Sequence, residues 1–199
     1  MSSDRYVALL RGINVGGRNK VAMAGLRQVF RTAGYQSVAT YIQTGNVLFS
    51  SPTAPKALEA DIEAVLERHL DLPIVVVVRS LPQLQAVVAN APEGFGASPD
   101  TFHSDVVFLK APLDAAAAMA VVQVRTSVDT AWEGDGVLYF QRVSARRSQS
   151  RMSRIAGTEE YSRMTIRNWS TTTRILALMQ PGDGDPGAGE DGGSGAPHA

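Results

Sequence analysis

No cysteine occurs anywhere in the 199 residues. Disulfide frameworks, thiolate metal sites and thiol nucleophiles are therefore excluded outright, and the chain reads as one made for a reducing compartment. Histidine is nearly as scarce. His69, His103 and His198 lie far apart, without the close spacing that metal ligands show, so neither a metal nor a cofactor is expected. No apolar run approaches the roughly 20 residues that span a bilayer. The first five residues lead straight into a strand-like segment, with no signal-peptide core or cleavage site. The expectation is a cytoplasmic chain with no membrane contact. A nucleophile elbow is also missing, and Asp61, Glu63 and Glu67 read as helix-surface charges rather than a positioned carboxylate pair.

What the chain does have is an uneven distribution of charge. The 19 basic and 19 acidic residues balance, but every basic residue precedes residue 181 and four of the acids follow it. The body thus carries a net +4, which permits an anionic partner such as a nucleotide or RNA without demanding one. Residues 181–199 contain only small and polar side chains apart from a single histidine and three prolines. Such a stretch cannot bury enough surface to offset its ordering entropy and is expected to be a disordered tail.

Before the tail, the hydrophobic pattern is regular. Residues 5–11 read as a strand, and a glycine-bearing loop follows over 12–20. Met23, Leu26, Val29, Phe30 and Ala33 then recur at helical spacing up to Gly34. Strands are expected over 38–42 and 47–51 around a turn at 43–46, then a helix over 58–70 and a doubly buried strand over 73–78. This βαββαβ order is that of the ferredoxin-like, α/β-plait arrangement. A helix over 81–91 and a Pro/Gly-rich linker lead to a weaker repetition of the plan. Its strands are expected at 104–110, 126–132, 137–143 and 164–167, and its helices at 113–124, near 150–156 and at 170–179. The fold class read from the pattern is α+β, with two ferredoxin-like domains in tandem, a C-terminal helix and the tail. The boundaries are 1–91, a linker at 92–102, 103–180, and 181–199. A right-handed crossover makes the first two strands run the same way, so the 12–20 loop and the 43–46 turn are expected at one sheet edge.

Several of these residues also resemble a known family. The opening Tyr6-Val7-Ala8-Leu9-Leu10-Arg11-Gly12-Ile13-Asn14-Val15-Gly16-Gly17, with Asn19-Lys20, is similar to that of the bacterial family DUF1697. The resemblance continues through Met23, Leu26-Arg27, Tyr41-Ile42-Gln43-Thr44-Gly45-Asn46-Val47 and Arg167-Asn168-Trp169. It departs at Thr44, where many relatives are expected to have Ser, and at Ser170, where Asn is expected. The resemblance implies a pair of ferredoxin-like domains and no particular activity.

Two candidate sites emerge. The first joins Arg11, Asn14, Gly16, Gly17, Asn19 and Lys20 to Gln43, Thr44 and Asn46. The loop fits neither the P-loop nor the dinucleotide fingerprint. Successive glycines nonetheless let backbone N–H groups approach an anion, with Arg11 and Lys20 supplying charge. The structural alternative is a tight strand-to-helix connection and a plain hairpin turn. The second is an arginine-rich stretch with eight arginines and two acids between residues 142 and 174. Arg147, Arg151, Arg167, Asn168 and Trp169 are its candidates for contacting phosphate and stacking on bases. The alternative is a solvated face with Trp169 as a core anchor. A ligand-binding protein, an enzyme on a small phosphorylated substrate and a protein-interaction scaffold all remain open, because folds of this class host all three.

Overall fold

The computed structural model describes residues 4–16 and 19–180. Gly17 and the 181–199 tail lie outside the described residues. The architecture is mixed α+β, with two four-stranded antiparallel sheets. The first sheet contains β1 (Asp4–Leu10), β2 (Gln36–Tyr41), β3 (Asn46–Ser51) and β4 (Val76–Ser80), in the order β2-β3-β1-β4. Helix α1 (Met23–Thr32) joins β1 to β2, and α2 (Pro55–Leu70) joins β3 to β4. Helix α3 (Leu81–Ala89) leads to the second sheet. There β5 (Phe102–Leu109), β6 (Asp129–Gly134), β7 (Val137–Val143) and β8 (Met164–Asn168) stand in the order β6-β7-β5-β8. Helix α4 (Ala115–Val121) joins β5 to β6, and α5 (Trp169–Met179) follows β8. The strand order of the first half is therefore repeated in the second.

Three layers of apolar packing hold these elements. Leu26, Val29 and Phe30 of α1 and Leu58, Ile62 and Leu66 of α2 close over one face of the first sheet, against Ala8, Leu10, Val47 and Phe49. The other face, with Val7, Leu9, Leu48 and Val77, meets Val106, Phe108, Val137 and Tyr139 of the second sheet. Leu84 and Val87 of α3 and Ile175, Leu176 and Met179 of α5 complete this middle core, which both halves share. The outer face of the second sheet is covered by Ala118 of α4 and by Met152 and Ile155. The central strands β1, β3, β5 and β7 are buried on both sides over most of their length, and the run Val76-Val77-Val78 is buried on both faces although β4 lies at the sheet edge.

The elements differ from the sequence expectation in places with local causes. Helix α4 spans 115–121 rather than 113–124. Asp114 caps it by accepting from the Ala117 N–H at 2.8 Å, and Val122 has already turned extended. A single helix near 150–156 is replaced by three 3-10 turns, Ser144–Gln149, Met152–Gly157 and Glu160–Arg163. This segment has few apolar residues, and its buried pair, Met152 and Ile155, is three apart, a spacing that one 3-10 turn satisfies. The β4 edge strand is protected by carboxylates. The outward N–H groups of Val76 and Val78 donate to Glu63 and Glu59 at 2.8 and 3.0 Å, which blunts an otherwise open edge. Glu63, expected to be only a surface charge, is thus a strand cap.

The link between α3 and β5 is pinned by Phe95, whose ring meets Trp132, Tyr139 and Trp169 edge-on at 6.1, 5.3 and 5.1 Å. Beside it Gly96 has φ +75°, and a Cβ there would fall on the Trp169 indole. Gly96→Ala is expected to cost about 2 kcal/mol or more, from left-handed strain plus displacement of the indole. Urea denaturation reads this directly, and an unchanged midpoint contradicts this packing.

Candidate functional site

The glycine loop is braced from within. Asn14, at φ +54°, donates from Nδ2 to the Val21 and Gln43 carbonyls at 2.9 and 2.8 Å and accepts from the Val21 N–H at 2.8 Å. Asn19, at φ +47°, donates to the Gly12 carbonyl at 3.2 Å. Short amides tolerate this left-handed backbone and replace the missing regular hydrogen bonds. The loop and the turn do meet, since Asn14 bonds both Val21 and Gln43. The Leu10 N–H also donates to the Gly45 carbonyl at 2.8 Å. Gly45 has φ +80°, and a Cβ there would stand 2.8–2.9 Å from Ile13 and Leu10, so no other residue fits.

This bracing takes some candidates away from any ligand. Asn46 is completely buried: its Nδ2 donates to the Tyr41 carbonyl and Thr44 Oγ1, and its Oδ1 accepts from Arg167. The side chains of Asn14 and Asn19 are likewise committed to the loop. Gly16, Lys20, Gln43 and Thr44 remain exposed on the edge. Two apolar side chains stand out with them, Val15 at 58% and Ile42 at 46% exposure. Ile42 also has φ +49°, an outlier for a β-branched residue.

The arginine stretch is broken up. Arg167 is buried and fans its guanidinium into the first half. Nε donates to Asn46 Oδ1 at 2.6 Å, and one terminal nitrogen reaches the Leu10, Thr44 and Gly45 carbonyls at 2.8, 3.1 and 3.2 Å. The other terminal nitrogen takes Thr165 Oγ1 and the Ile166 carbonyl. No carboxylate pairs with it among the described residues, and burial pushes its pKa down to about 10. A downward shift in a base marks a cost of charging at neutral pH, and the hydrogen-bond fan offsets it. Asn168 caps α5 by accepting from the Thr171 N–H at 2.7 Å, and the Trp169 ring packs on Phe95. These three residues are therefore internal ties rather than a phosphate-and-base surface. Arg147 and Arg151 stay exposed, and neither side chain forms a hydrogen bond or ion pair among the described residues.

A family model for proteins of unknown function, DUF1697, matches residues 3–139. The chain belongs to the DUF1697 family. Among solved structures this family member is similar to the conserved bacterial protein SP0830 from Streptococcus pneumoniae. The TM-score is 0.79 and the identity 28%, covering 90% of this chain and 100% of that one. No curated protein matches it.

In this DUF1697 chain Arg167 has a counterpart that the motif reading missed. Arg79 pairs with Val7 on β1 as Arg167 pairs with Val106 on β5. Arg79 reaches the other way, donating to the Leu109 and Gly136 carbonyls at 2.6 and 3.0 Å. The Leu109 N–H donates to Gly136 just as Leu10 donates to Gly45, so the two contacts are equivalent. A second reciprocal pair lies alongside. Arg11 Nε donates to the Met164 carbonyl at 3.0 Å, and Lys110 Nζ to the Val76 carbonyl at 3.1 Å. The environments then diverge. Lys110 meets Glu59 and Glu63 at 3.2 and 2.9 Å, and Arg79 stands 3.9 Å from Glu59. Burial lowers the Arg79 pKa, partly opposed by Glu59 and Asp135. Arg11 meets no acid among the described residues and stacks instead on Tyr161, 4.6 Å from the ring centre. A signal was available: Arg79 ends a buried valine strand, a place for charge only if a partner waits there.

Arg167→Ala orphans several buried acceptors and is expected to cost about 3 kcal/mol or more, a fall of roughly 6–12 °C in Tm. Arg167→Lys should recover less than half of it, because an ammonium cannot reproduce the planar fork. A lysine variant as stable as wild type shows that charge alone suffices and contradicts the fan.

Proposed function

We propose that this protein binds a phosphate-bearing ligand, a nucleotide or an RNA end, at the edge shared by the 11–20 loop and the 42–45 turn. In this reading the chain is a tandem of two ferredoxin-like units, and the site belongs to the first. The shared strand order of the two sheets supports the tandem. The absence of cysteine fits a reducing cytoplasm.

The observation that carries the reading is Ile42. A β-branched residue held at φ +49° with its side chain half exposed is strained and solvated at once, an arrangement found where a surface serves a ligand. Val15 stands exposed on the adjoining loop, so the edge offers an apolar platform for a flat body. Cationic donors flank it. Lys20 is exposed next to Val21, and Arg11 uses only Nε internally, which leaves its two terminal nitrogens for an oxyanion. Exposed Gln43 and Thr44 supply directional hydrogen bonds to a sugar or base.

A thermal-shift panel of mononucleotides, dinucleotides, sugar phosphates and a short single-stranded RNA tests this. A ligand at 100 times its Kd adds about 2.7 kcal/mol, readable as a rise of several degrees. Lys20→Ala is expected to abolish the shift and leave the ligand-free Tm in place. Ile42→Gly should hold or raise ligand-free stability, by about 1 kcal/mol as the strain is relieved, and weaken binding. A shift unaffected by Lys20→Ala, or no shift with any phosphate compound, overturns the proposal.

A further inference from the structure

We infer that a second site, a pocket of about 280 Å³ on the outer face of the second sheet, takes a small oxyanion carried on an apolar or aromatic body. The pocket owes its existence to the broken repeat. In the first half the 16-residue helix α2 covers this face between the third and fourth strands, whereas in the second half only short 3-10 turns stand there. The thinner cover leaves a cavity between those turns and the sheet. It goes beyond the edge site proposed above and shares none of that site's exposed residues.

The lining is one-sided in charge. Arg142 and Arg147 face the pocket together with Ser150 and Ser153, and no acid among the described residues lines it. Arg142 is positioned for a ligand rather than left loose. One terminal nitrogen pairs with Asp105 at 3.2 Å, and His103 braces that carboxylate from 3.1 Å. Its side chain is only 12% exposed, and its Nε is buried without a hydrogen-bond partner. Nε is sealed from the pocket, so what the fork offers an oxyanion there is its remaining terminal nitrogen, which forms no hydrogen bond among the described residues. Asp129 stands opposite Arg142 in the β6–β7 register but does not satisfy that donor. Its Oδ2 accepts from the Arg125 and Arg151 N–H groups, and its Oδ1 is itself unpartnered. Arg147 has all its side-chain donors unspent among the described residues, so two guanidinium groups are available at one cavity.

The remaining lining fixes the rest of the ligand. Met152, Ile155 and Ile166 form an apolar floor, and Tyr161 forms a wall. The cation of Arg11 over the Tyr161 ring holds that wall in place. A bare inorganic ion would satisfy the arginines and leave the floor unused. The fitting class is a monoester phosphate or a carboxylate on a small apolar body.

Isothermal titration of the full chain at low salt with phenyl phosphate, inorganic phosphate and benzoate tests the site. Phenyl phosphate or benzoate is expected to bind more tightly than inorganic phosphate, and which of the two binds better tells a phosphate ester from a carboxylate. Arg147→Ala should weaken binding at least tenfold without moving the ligand-free Tm. Arg142→Lys, which keeps the charge beside Asp105 but loses the fork, should weaken it as well. Lys20→Ala should leave it unchanged. Absence of binding by all three probes at millimolar concentration overturns the site, as does binding that survives both arginine variants. Binding lost only in Lys20→Ala overturns it too, and assigns the ligand to the first-half edge instead.

Discussion

Two buried arginines cross between the halves of this protein, and the middle core rests on their crossing. Arg79, next to last in the fourth strand of the first sheet, donates into the turn that precedes β7. Arg167, near the end of the matching strand, donates into the turn that precedes β3. Each arginine thus satisfies carbonyls that close strand ends in the opposite half. The Leu10 and Gly45 carbonyls are buried where Arg167 meets them, and a buried carbonyl short of a donor is a liability. Planarity matters here, because only a guanidinium can spread several donors across neighbouring acceptors at one depth. The residue after each arginine, Ser80 or Asn168, caps the next helix, so the same short segment ties the sheets and launches α3 or α5 into the shared core.

The repeat is structural without being chemical. Around Arg79 and Lys110 the first half supplies Glu59 and Glu63, and the ion pairs there also protect the β4 edge. Around Arg167 and Arg11 stand instead an amide and carbonyls of the first half and a tyrosine ring of the second. Helix α2 brings the carboxylates, and the 3-10 turns that stand in its place bring none into contact with these arginines. One side of the seam is neutralised by its own carboxylates and the other is left cationic. The exposed Lys20 and the unspent donors of Arg11 belong to the cationic side.

Most of the first half is legible in the sequence, because its strands and helices are long and strongly periodic. The second half is harder to read. The segment from 144 to 163 carries too few apolar residues to announce a period, and it settles into 3-10 turns. The candidate site illustrates a different limit. Asn14, Asn46 and Arg167 are polar residues in glycine-bearing or helix-capping contexts, a pattern that suits a ligand and an internal brace equally well. Only placement separates them, since the burial and partners of Asn46 and Arg167 depend on the opposite half of the chain. Arg79 is the instructive omission. A charge at the end of a buried valine strand has to be answered by something, and aligning the two halves by their strand order would have set it opposite Arg167.

If the crossed arginines make the two halves one cooperative unit, the amides that close the two strand ends should exchange through the same opening. Native-state hydrogen exchange at Leu10 and Leu109, whose N–H groups donate to Gly45 and Gly136, measures this directly. The account predicts equal opening free energies at the two sites, both matching global unfolding, and an equal fall at both in an Arg79→Met variant. Leu109 exchanging through a cheaper local opening while Leu10 stays fully protected would contradict it, and would mean that the halves fold as separate units that merely touch.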